Sequence, residues 1–116
     1  MTATAPRIEG EFALIQTPSR VVLGESAEGL RATIEDAFRQ GVRYLVVDIA
    51  GCAYMDSSGI GELLAGMRQA REAGGAVAIV GPRGKIHEIL EVTKLASLFV
   101  LAPDEAAARA LLLSRP

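Results

Sequence analysis

From residue 24 onward the chain alternates between two hydrophobic rhythms, and that alternation limits its fold more than any other feature. Leu30, Ile34, Ala37 and Phe38 recur at three- and four-residue steps, the stripe of an amphipathic helix, and Gly41 follows where helices commonly end. Tyr44, Leu45, Val46, Val47, Asp48 and Ile49 then form a β-branched and aliphatic run without Gly or Pro, which predicts a short buried strand. Ile60, Leu63, Leu64, Met67 and Ala70 restore the helical step until Gly74 and Gly75, after which Ala76–Val80 is again continuously apolar. Pro82 breaks the chain. Ile86, Ile89 and Leu90 mark a third short helix, Ser97 to Leu101 a further strand, and Asp104 to Leu113 an Ala-rich helix with acidic residues in its first turn.

Short strands that are apolar on both faces need cover on both faces, and successive strands separated by helices are joined by right-handed crossovers. The pattern therefore predicts an α/β fold with parallel strands. Upstream, Glu9 to Gln16 and Arg20 to Leu23 read as two strands that would form a hairpin across Thr17, Pro18 and Ser19. A chain of 116 residues suits one domain, 1–116, with a core from about residue 8 to 113 and frayed ends.

Composition narrows the partners. Twelve Lys and Arg against 14 Asp and Glu leave a net charge of -2, so no basic field draws nucleic acid or anionic lipid. No apolar run approaches the roughly 20 residues of a membrane span. Met1–Pro6 lacks the basic and apolar regions of a signal peptide, and a single cysteine, Cys52, fits a reducing compartment as core filler, so a cytoplasmic location is expected.

Enzyme chemistry finds little purchase. A Ser-His-Asp arrangement would have to draw His87 to Ser57 or Ser58, but the GxSxG turn is absent. Gly84 and Lys85 lack the upstream glycine and the following hydroxyl of a phosphate-binding loop, because Ile79 and Ile86 stand there. Gly59 and Gly61 open a GxG whose third glycine is Leu64. The turn Gly81, Pro82, Arg83, Gly84, Lys85 reads as a solvated turn rather than an anion site. A lone histidine makes a poor metal site. No catalytic residue, metal or cofactor is expected.

One junction remains: Tyr54, Met55, Asp56, Ser57, Ser58, Gly59, Ile60, Gly61, which joins a strand to the second helix through two adjacent hydroxyls. Asp and Ser are the preferred N-cap residues, so capping alone accounts for an Asp-Ser-Ser start. It does not account for Gly59 and Gly61, each costing about 0.5–1 kcal/mol relative to Ala inside a helix. Bare backbone there suits the close approach of another protein or a phosphate, which the positive end of a helix favours.

This junction, together with Leu45 to Asp48, Glu62, Leu63, Gly74, Gly75, Ile89, Leu90, Thr93, Lys94, Leu95 and Phe99, resembles the STAS domains of bacterial anti-sigma factor antagonists over roughly residues 20 to 110. The resemblance implies a single domain with a four- or five-stranded mixed sheet and helices packed on one side. It also implies a regulatory protein that binds a serine kinase doubling as an anti-sigma factor. That kinase would phosphorylate Ser57, with Ser58 as the alternative acceptor, and a metal-dependent serine phosphatase would reverse the step. Asp56, Ser58, Gly59, Ile60 and Gly61 become expected partner contacts, joined by Gly24, Glu25 and Ser26 of the loop after the second strand. Many members carry a Gly-Glu-Leu-Asp-like loop there, whereas this chain continues with Ser26 and Ala27 and lacks the second acid. Two other expectations stay open: the same fold as a subunit of another assembly, such as one clamping a transporter ATPase without phosphorylation, or as a nucleotide sensor.

Overall fold

The two apolar runs Phe12–Gln16 (β2) and Tyr44–Asp48 (β4) lie side by side and parallel at the centre of the fold, paired from Phe12 with Tyr44 to Gln16 with Asp48. The computed structural model describes residues 5–82 and 84–115. Met1–Thr4, Arg83 and Pro116 are outside the described residues, and with them part of the expected frayed ends and of the Gly81–Lys85 turn. In chain order the elements are β1 (Arg7–Glu9), β2, β3 (Arg20–Val21), α1 (Glu25–Arg39), β4, β5 (Tyr54–Met55), α2 (Ser57–Glu72), β6 (Ala76–Val80), α3 (Gly84–Val92), β7 (Val100–Ala102) and α4 (Glu105–Leu113). A single 3-10 turn, Leu95–Leu98, precedes β7.

Five strands form one mixed sheet in the order β1-β2-β4-β6-β7. Among the described strands of this sheet β1 runs antiparallel to β2, and the remaining pairs are parallel, as the alternating pattern requires. Side chains alternate between faces with the two-residue period of a strand. Ala13, Ile15, Leu45, Val47, Val77 and Ile79 pack with Leu30 and Ile34 of α1, Leu63 and Met67 of α2, and Leu90 of α3. Phe12, Leu14, Val46, Ala78 and Val80 point the other way and meet Ala108 and Leu112 of α4.

The mixed five-stranded α/β sheet is the expected one, while the expectation of helices on one side needs a correction. Three helices cover one face and α4 covers the other, because central strands apolar on both faces cannot leave either in water. Its alanines let the helix sit close to the sheet. At the rim, Arg7 donates to both oxygens of Glu105 and Arg109 donates to Glu9, tying α4 to the edge strand.

Two local expectations fail for identifiable reasons. The hairpin joins β1 to β2 across Gly10, whose φ of 61° suits a residue without a side chain. Thr17, Pro18 and Ser19 instead carry the chain out of the main sheet: Thr17 N donates to Asp48 O, Ser19 O accepts from Ala53 N, and β3 pairs in parallel with β5 as a separate two-stranded sheet. The strand read from Ser97 to Leu101 starts only at Val100, because Lys94 takes a left-handed conformation with φ 62° and turns Leu95–Leu98 into the 3-10 segment.

Candidate functional site

The β3–β5 pairing is what builds the site. By matching Val21 to Met55 it sets the loop after β3 beside the residue that opens α2, and Asp56 N donates to Val21 O over 3.0 Å. Asp56 is extended, with φ -91° and ψ -174°, and caps the helix: Oδ1 accepts from Ser58 N at 2.9 Å and from Gly59 N at 3.3 Å. Its other oxygen reaches across to accept from Leu23 N at 2.9 Å. One carboxylate thus satisfies the helix tip and pins a neighbouring loop. The Leu23 amide above all holds the Asp56 carboxyl below the usual aspartate range; desolvation opposes it, and the amides of Gly59 and Ser58 add smaller contributions in the same direction as Leu23.

The loop is braced from its own side as well. Ser26 Oγ accepts from Val22 N at 2.8 Å and donates to Val22 O at 3.1 Å, and Ala27 N donates to Val22 O. Ser26 is therefore an internal brace, half-buried, whereas Glu25 is exposed beside it.

With Asp56 in the capping position, Ser57 becomes the first helical residue and its hydroxyl is left over. Ser57 is exposed, and its Oγ forms no hydrogen bond with any described residue. Ser58 is half-buried one step further in. Between the first turns of α1 and α2 runs a groove of about 440 Å3, bordered by Leu23, Gly24, Glu28 and Arg31 on one wall and by Ser57, Ser58, Gly61 and Glu62 on the other. Across it, Arg31 donates to Glu62 from Nε and Nη2, the latter at 2.8 Å. That bond and its charge hold the Arg31 guanidinium further toward its protonated form than usual.

Two of the expected contacts on α2 change character. Ile60 is buried in the main core and cannot form part of an outer surface. Gly59 is buried too: a Cβ there would lie 2.5 Å from Met55 Cγ and 2.8 Å from Val21 Cγ1, so the missing side chain serves internal packing, not a visitor. Gly61, by contrast, is exposed on the groove, with open space around a hypothetical Cβ. Leu23, which the sequence reading absorbed into a strand, is 80% exposed at the groove's end. Had the strand continued, Leu23 would share a face with buried Val21; β3 stops two residues short, and Leu23 turns outward.

The remaining candidates lie elsewhere. His87 stands exposed on α3 beside a separate depression formed with Pro82, Leu101 and Pro103, away from the groove. Cys52 is buried and its Sγ donates to Tyr54 O. Among the described residues no cluster of His, Cys, Asp and Glu is arranged to hold a metal ion, and no helix is long and apolar enough to cross a membrane.

Known proteins are similar to this chain in sequence and in fold. BtrV of Bordetella bronchiseptica, provisionally named an anti-sigma factor antagonist, is 29% identical over 110 residues, covering 95% of this chain and 93% of BtrV. The anti-sigma F factor antagonist of Lysinibacillus sphaericus is 29% identical over 83 residues, 71% of each chain. Among solved structures, the Bacillus cell fate determinant SpoIIAA in its phosphorylated form superposes with a TM-score of 0.75 at 22% identity, covering 95% of this chain and 99% of SpoIIAA. The family described as the STAS domain matches residues 3–108, and with the five-stranded sheet and its helices in agreement, the chain belongs to the STAS domain family.

Proposed function

We propose that this protein is an anti-sigma factor antagonist that docks on an anti-sigma factor serine kinase through the α1–α2 groove and is released when that kinase phosphorylates Ser57. The names of its relatives in Bordetella bronchiseptica and Lysinibacillus sphaericus support the first half of this reading. The observation that carries the second half is the leftover hydroxyl: Asp56 takes over capping, so Ser57 Oγ stays exposed and unengaged on a rigid helix tip. In the transfer, Ser57 Oγ forms a bond to the γ-phosphorus of MgATP as the bond to the ADP oxygen breaks, and the hydroxyl proton passes to a base on the kinase. A metal-dependent serine phosphatase returns the hydroxyl by hydrolysis. Neither step requires a catalytic group from this chain, which acts as a binding module and as a substrate.

Charge makes the switch. Phosphoserine adds about -1.5 to -2 at neutral pH to a chain whose net charge is -2, and adds it at one point. A partner surface that had closed over Leu23 and the groove then faces a dianion it must desolvate, at a cost of several kcal/mol, where about 1.4 kcal/mol already changes an affinity tenfold. The fold need not change.

The test uses the full chain, MgATP and the kinase encoded nearest to its gene. Intact mass should rise by one phosphate, located on Ser57 by peptide mapping. Ser57→Ala should bind the kinase and stay unmodified, and Ser57→Asp should lose binding. An unchanged mass together with full binding by Ser57→Asp would overturn the reading in favour of an assembly subunit that works without phosphorylation.

A further inference from the structure

Packing leaves one glycine on α2 unexplained. Gly59 is forced by Met55 and Val21, and a Cβ on Gly66 would already touch Ile34 and Leu45 at 3.4 Å, but one on Gly61 would meet nothing within 4 Å. Gly61 lies four residues after Ser57, on the same helix face, so it keeps the floor of the groove clear between that hydroxyl and what lies beyond it. Beyond it lies an ion pair. Glu62 follows Gly61, and because Cα–Cβ bonds on a helix tilt toward its N-terminus, its carboxylate leans back toward the serine turn. There it receives Arg31, the one cation among the described residues lining the groove, through Nε and Nη2. The Arg31 side chain is 56% exposed even while paired, so its guanidinium can exchange partners without unpacking the core.

We propose that Arg31 is the receptor for the phosphate on Ser57, its guanidinium leaving the Glu62 carboxylate for the phosphate across the space that Gly61 keeps empty. This rests on the reading that Ser57 is phosphorylated, and it adds how the modified state is held. A phosphate dianion presents more charge and more acceptor oxygens than a carboxylate, and a planar guanidinium pairs with it through two parallel bonds. The exchange frees Glu62 as an unpaired negative charge, so the partner meets two altered positions rather than one. Glu28 on α1 lines the same space and adds to the negative field; Glu35, further along α1, also acts on Arg31, while the Asp56 carboxylate is turned to the amides of Leu23, Ser58 and Gly59.

Phosphoserine installed at position 57 during translation tests this in the full chain without any kinase. The readout is the second acid dissociation of the phosphate, followed by phosphorus NMR. Its pKa should be lower by about 0.5 unit in the otherwise native chain than in Arg31→Gln. Glu62→Gln, which removes the competitor, should lower it further. Gly61→Leu, which fills the floor, should raise it to the Arg31→Gln value, and circular dichroism confirms that each variant is folded. Equal values in the native chain and Arg31→Gln overturn the proposal. That result leaves the kinase reaction standing, just as a kinase that ignores Ser57 would leave this titration intact.

Discussion

Two ends of the molecule carry arginine–carboxylate pairs, and they use them differently. On the α4 side, Arg7 and Arg109 close on Glu9 and Glu105 as a ring of four charges, and Arg109 also lies 4.6 Å above the Phe12 ring. The charges there fasten a helix over the second face of the sheet, beside a cavity of about 260 Å3 lined by Arg7, Leu14, Val46, Asp48 and Glu105. On the groove side, the single pair Arg31–Glu62 spans an opening with an unengaged hydroxyl at one end and an exposed leucine at the other. In the ring every charge has two partners, whereas Arg31 and Glu62 have only each other among the described ion pairs, although Arg7 and Arg31 are about equally exposed, at 58% and 56%. The lesson is that an ion pair's role is read from the number of partners its charges share more than from the length of any one contact.

Leucines give the sharpest test of that contrast. Leu112 is 1% exposed under the clasp, so Leu112→Ala should cost about 2–5 kcal/mol in a denaturant unfolding experiment, from lost transfer energy and the cavity left behind. Leu23 is 80% exposed at the groove, so Leu23→Ala should leave stability within about 0.5 kcal/mol. Its effect belongs to docking: if Leu23 anchors the partner, affinity for the kinase should fall by about tenfold, or 1–2 kcal/mol, in a titration. A Leu23→Ala protein that unfolds early yet binds normally would reverse the contrast.

Legibility in the sequence follows the same division. Where periodicity is strong the elements were readable: the helix carrying Leu30, Ile34 and Ala37, the strands at Tyr44–Asp48 and Ala76–Val80, and the Asp56 start of α2 all lie where their patterns place them. What failed was pairing over distance. Arg20–Val21 has the composition of a hairpin strand but takes its hydrogen bonds from β5, more than 30 residues away in sequence, and nothing local announces this. That one long-range choice decides the site. It stops β3 before Leu23, aims Asp56 Oδ2 at the Leu23 amide, and buries Gly59 against Val21. The hydroxyl at Ser57 was legible from the motif; the groove beside it was not, because the α1–α2 approach that brings Arg31 to Glu62 is tertiary.

The glycine pair separates packing from access with a difference in sign. Gly59→Ala places a methyl among Met55 and Val21 and should destabilise by about 1–2 kcal/mol after the gain in helix propensity is counted. Gly61→Ala meets open space and should stabilise by about 0.5–1 kcal/mol, through propensity alone. Thermal unfolding of the two variants checks both. If they shift in the same direction, the distinction drawn between a core glycine and a groove glycine does not hold.

Asp56 ties the two structural roles together, and its effect is the subtlest. Its folded pKa is depressed by the amides of Leu23, Gly59 and Ser58, so the charged form is favoured in the native state. The stability it contributes is then fully present above its unfolded value, about 3.9, and is lost as pH falls through the lower folded value. Asp56→Asn can still cap α2 through its carbonyl oxygen, but its amide nitrogen cannot accept from Leu23. Unfolding measured for both proteins at neutral pH and at about pH 3 should show a gap that narrows in acid, since protonation makes the native side chain resemble the neutral variant. The other carboxylates titrate alike in the two proteins and cancel in the difference. A gap that does not change with pH would mean that the negative charge on Asp56 is not what holds the Leu23 loop against the helix tip, and that the groove's end is shaped by the Ser26 brace alone.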